Sequence, residues 1–316
     1  MGAFLAYIPS PPVNGVSIGP IRLHFYGLMI ALGVIVAVWM AQRQWTRIGG
    51  RSGAFSSLAV WAVPAGLVGA RVYSLCTSWN VDTQGHWWKA FAVWDGGLGI
   101  WGGVLVGVAG GLYAAHRLRL PWAPLMDCVA PALPLAQAIG RIGNYFNQEL
   151  YGWRTNLPWG VKIDHALIGT TTASHYAPPG VYQPTFLYEM IGDVLVAVLV
   201  VWAMRRFRIR RGYAFAIYSG GYTFVRFWTE YMRIDPAHIY LGLRLNDWTC
   251  ILVFTCSVLA LLIRGRAPAG DDVAGAPLDV HPSRYGPATG AAAPAHAGSS
   301  AGSPSGSATA TPDLAG

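Results

Sequence analysis

The chain has 316 residues, of which 53% are hydrophobic and only 11% charged, with a mean hydropathy of +0.38. Soluble domains carry about 25% charged residues, so this composition excludes an ordinary soluble domain and points to a helical membrane protein. The formal net charge of +8 does not signal nucleic acid: most arginines sit in short loops between apolar runs, with no basic face interleaved with aromatics.

In chain order, Met1–Pro20 has no Lys or Arg, so it lacks the basic region of a cleavable signal peptide. The first apolar span runs over 23–42 and opens Arg22-Leu23-His24-Phe25-Tyr26-Gly27. Tyr26 there is either an interfacial aromatic anchor or a site residue. The second span, 55–76, carries Arg71 near one end, expected to snorkel to the headgroups. The third, 96–116, repeats Gly99, Gly103, Gly107 and Gly111 every four residues, a smooth face for a neighbouring backbone. Its start, Gly96-Gly97-Leu98-Gly99, could also open room for a lipid headgroup. The fourth, 122–140, contains Asp127, Pro131 and Pro134, which predict a kinked or broken helix. A fifth span covers 186–204, a sixth 212–231 and a seventh 247–263.

Arginines set the expected orientation. Arg43, Arg47 and Arg51 follow the first span, Arg117 and Arg119 the third, Arg205 to Arg211 the fifth, and Arg264 and Arg266 the seventh. A seven-span chain places all four clusters on one side, which the positive-inside rule makes cytoplasmic. The N-terminus is then outside and the C-terminus inside, with the longest loop, about 141–185, on the outer face. Residues 1–266 read as one seven-span domain. Residues 267–316 are rich in Ala, Gly, Pro and Ser, and are expected to be a disordered cytoplasmic tail. Cys76, Cys128, Cys250 and Cys256 lie in or beside apolar segments with no metal spacing and read as small hydrophobes.

Two stretches carry chemistry. Gly140 to Gly152 packs Arg141, Asn144, Asn147 and Glu149 among three glycines just after an apolar segment. Lipid tails offer such groups no hydrogen-bond partner, so a cluster there suggests binding. In the sixth span, Tyr222, Arg226, Glu230 and Arg233 share one helix face. This stripe is either a structural ion pair or an anion site with arginines positioned by the glutamate. An arginine suits phosphate because its planar fork can donate two hydrogen bonds at once. Arg141 and Arg226, converging from two spans on the outer face, would clamp the phosphodiester of an anionic phospholipid. Glu189, about one turn into the fifth span, is either an arginine's packing partner or part of the site.

Gly140-Arg141-Ile142-Gly143-Asn144-Tyr145-Phe146-Asn147-Gln148-Glu149 with Gly152 resembles the signature of the prolipoprotein diacylglyceryl transferases. His24 to Met29, Trp94 to Leu98 with Gly102-Gly103, Asp127 with Pro131, Thr185 to Glu189, and Tyr222 to Arg233 follow that family's order over about 20–264. The resemblance implies a multi-pass enzyme of the bacterial plasma membrane, active at the outer leaflet and without a cofactor or metal. It would transfer the diacylglyceryl group of phosphatidylglycerol to the lipobox cysteine thiol of a prolipoprotein signal peptide, forming a thioether and releasing glycerol phosphate. Arg226, Tyr26, Glu149 and Tyr222 would be its catalytic residues. Arg141, Asn144, Gly152, Glu230, Arg233, Gly96 and Gly97 would bind substrate. One position departs: many members carry a histidine, proposed as base, where this chain has Trp101. Glu149, Tyr26, His24 and the departing phosphate are then the candidate proton acceptors. An anion transporter and a non-catalytic membrane scaffold are the competing readings.

Overall fold

The computed structural model of the chain describes residues 7–18, 21–83, 85–93, 96–164 and 178–278. Every predicted apolar run is helical: α1 (Phe25–Arg47), α2 (Ala54–Thr83), α3 (Ile100–Arg117), α4 (Trp122–Val129), α5 (Ala132–Asn147), α6 (Thr185–Arg206), α7 (Ala214–Met232) and α8 (Leu245–Arg264). Among the described residues, four helical stretches are long and apolar enough to cross a membrane: Phe25–Arg47, Ala54–Asn80, Thr185–Arg206 and Leu245–Arg264. The polarity is inverted relative to a soluble bundle. Ile35, Val60, Leu105, Leu195 and Leu262 are exposed, while Asp127, Glu189, Asp193, Glu230 and Asp247 are buried. Lipid solvates the former, and the latter must find partners inside.

The fourth run is broken, as its prolines predict. α4 ends at Val129, and α5 starts afresh after Pro131, which has no amide hydrogen to donate. Asp127 accepts the amides of Gly212 (2.8 Å) and Ala214 (3.2 Å), so it tethers α4 to the start of α7. One expectation fails here. The outer loop does not begin at 141, because α5 continues to Asn147 and carries Arg141 and Asn144 on its last turns.

α2 and α3 form a close-packed hairpin at their glycines. A Cβ on Gly102 would lie 2.2 Å from the Gly69 carbonyl oxygen, whereas one on Gly111 would meet only the Ala62 methyl at 3.6 Å. Arg71 is buried instead of snorkelling. Its guanidinium donates to the carbonyls of Lys89, Ala90 (2.8 Å), Gly96 (2.8 Å) and Gly97 (3.0 Å), and lies 4.0 Å from Asp82. The α2–α3 connection folds back over the guanidinium, so water and headgroups need not supply its acceptors.

Three two-stranded antiparallel hairpins cap one end of the helices: β1 (Gly15–Ile18) with β2 (Ile21–His24), β3 (Val161–Ile163) with β4 (Gly180–Tyr182), and β5 (Ile239–Tyr240) with β6 (Leu243–Arg244). Tyr151, Val161, Ile163, Tyr182 and Phe186 form a small core under them.

The arginine-bearing ends gather at the other pole, where Trp45, Ile48, Phe55, Ala115, Leu125 and Cys128 pack together. The packed body continues past 266. Ile209 bridges Arg266, Arg210 bridges Val273, and the Leu278 amide donates to the Ile48 carbonyl at 2.7 Å. Ala267 and Ala274 are buried. Packing thus runs past the edge drawn at 266, through Ala267 and Ala274, which are too small to signal a core by themselves. The expected disorder of the remaining tail concerns 279–316, outside the described residues.

Gly102→Ala should force the α2–α3 backbones apart, at the roughly 1–3 kcal/mol typical of overpacking. Gly111→Ala should be neutral. Thermal unfolding of the two variants in detergent, side by side, checks the difference.

A buried ion-pair chain at the candidate active site

Glu189 stands one turn into α6, only 2% exposed. It receives Arg141 Nη2 from α5 at 2.6 Å and Arg226 Nη1 from α7 at 3.0 Å. The other terminal nitrogen of Arg226 lies 2.6 Å from Glu230, one turn further along α7. Glu230 is fully buried and also holds Arg233 (3.3 Å), Arg244 (3.0 Å) and the Asn246 amide (3.1 Å). Asp235 closes the series, accepting from Arg233 at 2.7 and 2.9 Å and from Arg244 at 2.7 Å. Four guanidiniums thus alternate with three carboxylates across α5, α6, α7 and the edge of α8.

This alternation separates the two arginines that the sequence treats alike. Arg226 has both terminal nitrogens on carboxylates. Arg141 ends the series with Glu189 alone and keeps Nε and Nη1 without a partner among the described residues. Its side chain is 17% exposed and that of Arg226 16%, so the engaged nitrogens, and not exposure, separate the two. Arg141 is therefore the guanidinium with donors left for an incoming anion. Arg226 acts one step back, holding Glu189.

The signature builds the rest of this end. α5 stops at Gln148, whose left-handed backbone (φ 50°) turns the chain back over the helix. Glu149 Oε1 then receives the side-chain amides of Asn144 (2.8 Å) and Asn147 (3.2 Å). Glu149 Oε2 has no hydrogen-bond partner among the described residues. Tyr26, at the start of α1, packs over Gly143, where a Cβ would lie 2.6 Å from the Tyr26 ring. Its phenol shares the electrostatic surroundings of Glu149 and Arg141. Tyr222 stacks on Tyr218 at 6.1 Å and lies in the field of Glu189, Arg226 and Arg141. Gly152 pairs with Arg233 as an isolated antiparallel bridge, and a Cβ there would sit 2.8 Å from the Met232 carbonyl oxygen. Gly152 is therefore a backbone crossing point that locks the signature turn to the end of α7.

Tyr26, Arg141, Asn144, Glu149, Tyr222, Arg226, Glu230 and Arg233 thus share one end of the molecule. Two expected substrate contacts are differently employed: the Gly96 and Gly97 carbonyls accept from Arg71 within the α2–α3 connection. Trp94 and Asp95 of that motif lie outside the described residues. Trp101 is 65% exposed on the outer side of α3. His24 is exposed at the end of β2.

Sequence reading missed Asp193, Asp235, Arg244 and Asn246. Asp193 carried a signal, a second carboxylate four residues after Glu189 in an apolar span. It is fully buried, with no hydrogen-bond partner on either oxygen among the described residues. Arg244 and Asp235 lie in a short loop and gave no signal before the fold brought them to Glu230.

Residues 14–263 match the family model for prolipoprotein diacylglyceryl transferase. The chain belongs to the prolipoprotein diacylglyceryl transferase family. It is 48% identical over 268 residues to phosphatidylglycerol–prolipoprotein diacylglyceryl transferase 1 of Streptomyces coelicolor, covering 84% of this chain and 76% of that protein. It is 46% identical over 268 residues to the Streptomyces avermitilis transferase (84% and 77% covered). With that of Mycobacteroides abscessus it shares 43% over 277 residues (84% and 80% covered). The family match spans the whole ion-pair chain, from Arg141 to Arg244.

Two outcomes follow for a transferase-family chain built in this way. Glu230→Gln should cost on the order of 3–5 kcal/mol, because removing one partner strands buried charge. It should appear as a large fall in detergent melting temperature. Asp235 behaves differently because it titrates in the loop. Burial raises its pKa, but hydrogen bonds and charge from Arg233 and Arg244 outweigh this and hold it below its ordinary 3.8. Its stabilisation is complete above the unfolded value and is lost as pH falls through the lower folded one. The stability gap between wild type and Asp235→Asn should stay constant from neutral pH to about 5 and close below about 3.9, as read by melting curves across pH.

Proposed function

We infer that the chain is a phosphatidylglycerol–prolipoprotein diacylglyceryl transferase of the bacterial plasma membrane. The observation carrying this reading is Arg141: a membrane-edge guanidinium, fixed on one side by Glu189 and open on the other. An anionic headgroup can take the free donors while Glu189 keeps the fork in place. The lipobox cysteine sulfur attacks the glyceryl carbon. The S–C bond forms as the C–O bond to phosphate breaks, the thiol loses its proton, and glycerol phosphate departs. Charge gathers on the leaving phosphate, where a pre-positioned guanidinium in a water-poor site is most effective. Glu149 Oε2 accepts the thiol proton, while Asn144 and Asn147 fix the carboxylate through Oε1. Tyr26 and Tyr222 flank the anion, and the chain's own residues supply every role without Trp101.

In this reading the bundle spans the membrane seven times, with α4 and α5 as one broken span. The arginine-rich pole, where the ends of α1, α3, α6 and α8 meet, is cytoplasmic by the positive-inside rule. Arg141, Glu149 and the three hairpins then face the outer leaflet, where secreted prolipoproteins emerge.

The purified protein, incubated with phosphatidylglycerol and a lipobox peptide, should add a diacylglyceryl mass to the cysteine peptide and none to its Cys→Ser control by mass spectrometry. Arg141→Ala should lose about 10²–10³-fold in turnover, as for removal of one oxyanion donor, with a smaller fall in melting temperature than Arg226→Ala because Glu189 keeps Arg226. Arg226→Ala should lose turnover and stability together, because it takes a partner from both Glu189 and Glu230. Full turnover in Arg141→Ala refutes the phosphate role. Absence of any mass gain with folded wild-type protein refutes the transferase.

A further inference from the structure

The pole opposite Arg141 carries a second cationic site. Two grooves there share Met40, Leu135, Val201 and Arg205 between α1, α5 and α6. One, of about 480 Å³, is lined by Arg43, Arg47 and Arg205 at its polar end. The other, of about 470 Å³, continues along Val198 and Trp202 and is almost wholly apolar. A cationic end opening into an apolar trough has the polarity of an anionic lipid reversed. Arg205 lies sixteen residues beyond Glu189 on α6, roughly 24 Å along the axis, so this site and the Arg141 site are separate.

The arginines are available. Among the described residues, none of Arg43, Arg47, Arg205 and Arg206 pairs with a carboxylate. Their neighbours are treated otherwise: Arg210 pairs with Asp271 at 3.0 Å, and Arg211 lies 3.5 Å from Asp272. Asp127 also lines the polar end, but its two oxygens are occupied by the Gly212 and Ala214 amides. The C-terminal strap completes the wall with Ala274 and Gly275, residues small enough not to fill it.

We propose that this composite groove binds an anionic diacyl phospholipid of the leaflet opposite the Arg141 site, with the phosphate on Arg43, Arg47 and Arg205 and an acyl chain along Val201 and Trp202. Basic pockets between helices bind acidic headgroups, and the continuous apolar trough favours a lipid over a free phosphate. The bound lipid bridges α1 and α6 across Leu135 of α5.

Native mass spectrometry of the full chain in detergent, titrated with phosphatidylglycerol or phosphatidylcholine, reads this directly and requires no turnover. It therefore stands or falls independently of the transferase assay. Arg43→Gln, Arg47→Gln and Arg205→Gln combined should weaken one phosphatidylglycerol equivalent on the order of a hundredfold, from roughly fivefold per arginine. Phosphatidylcholine retention should not change. Arg51→Gln, Arg117→Gln and Arg119→Gln combined remove the same charge outside the groove and should have no effect. Val201→Trp, which fills the shared waist without altering charge, should also lose that equivalent, while the Arg141→Ala variant should keep it. Excess glycerol phosphate should fail to displace it. Equal losses in both arginine triples, unchanged retention in the groove variants, no preference over phosphatidylcholine, or displacement by glycerol phosphate would each overturn the proposal.

Discussion

The structure depends on the requirement that charge buried in a bilayer be neutralised by charge of opposite sign. Glu189 and Glu230 are nearly inaccessible, and each would be prohibitively costly alone. Placed between Arg141, Arg226, Arg233 and Arg244, they become the joints that fix α5, α6, α7 and the start of α8 relative to one another. Apolar packing cannot supply that register, since lipid tails are as apolar as leucine and leave little hydrophobic force between helices. In the proposed reading the same groups serve structure and chemistry, because the terminal member of the series keeps donors that no described residue takes.

Position in this series assigns the roles. Arg226 has both terminal nitrogens on carboxylates, so its value lies in holding Glu189. Arg141 is held at one nitrogen and open at the others. Glu149 is arranged in a similar way, with one oxygen fixed by two asparagines and the other without a hydrogen-bond partner among the described residues. A pre-positioned group with one open valence avoids reorganisation at the moment of reaction, which is where electrostatic catalysis gains most. Arg71 is the contrast: it is more deeply buried, and every nitrogen of its guanidinium is spent on loop carbonyls that fold the α2–α3 connection.

Much of this was legible in the chain. Hydropathy and prolines located the helices and the break before Pro131, and a spacing of four and three residues put Arg226, Glu230 and Arg233 on one face. The signature glycines Gly143 and Gly152 stand where Tyr26 and the Met232 carbonyl come too close for a side chain. What failed did so for physical reasons. Arg71 was expected at the headgroups because sequence does not show that a distant loop can deliver carbonyls. The end of α5 was read as loop because polar residues at a membrane edge suit a helix terminus as well as a coil. The stretch after 266 was read as tail because alanines such as Ala267 and Ala274 are too small to register as core in composition, though both are buried.

The sequence by itself determined that this is a helical membrane protein and which family motifs it carries, because local hydropathy and spacing are written residue by residue. It also named the arginines and carboxylates that needed partners. Only the tertiary structure decided which partner each one has. That outcome depends on helices from distant parts of the chain meeting at Glu189 and Glu230, and it turns two equivalent arginines into one that supports and one that remains open.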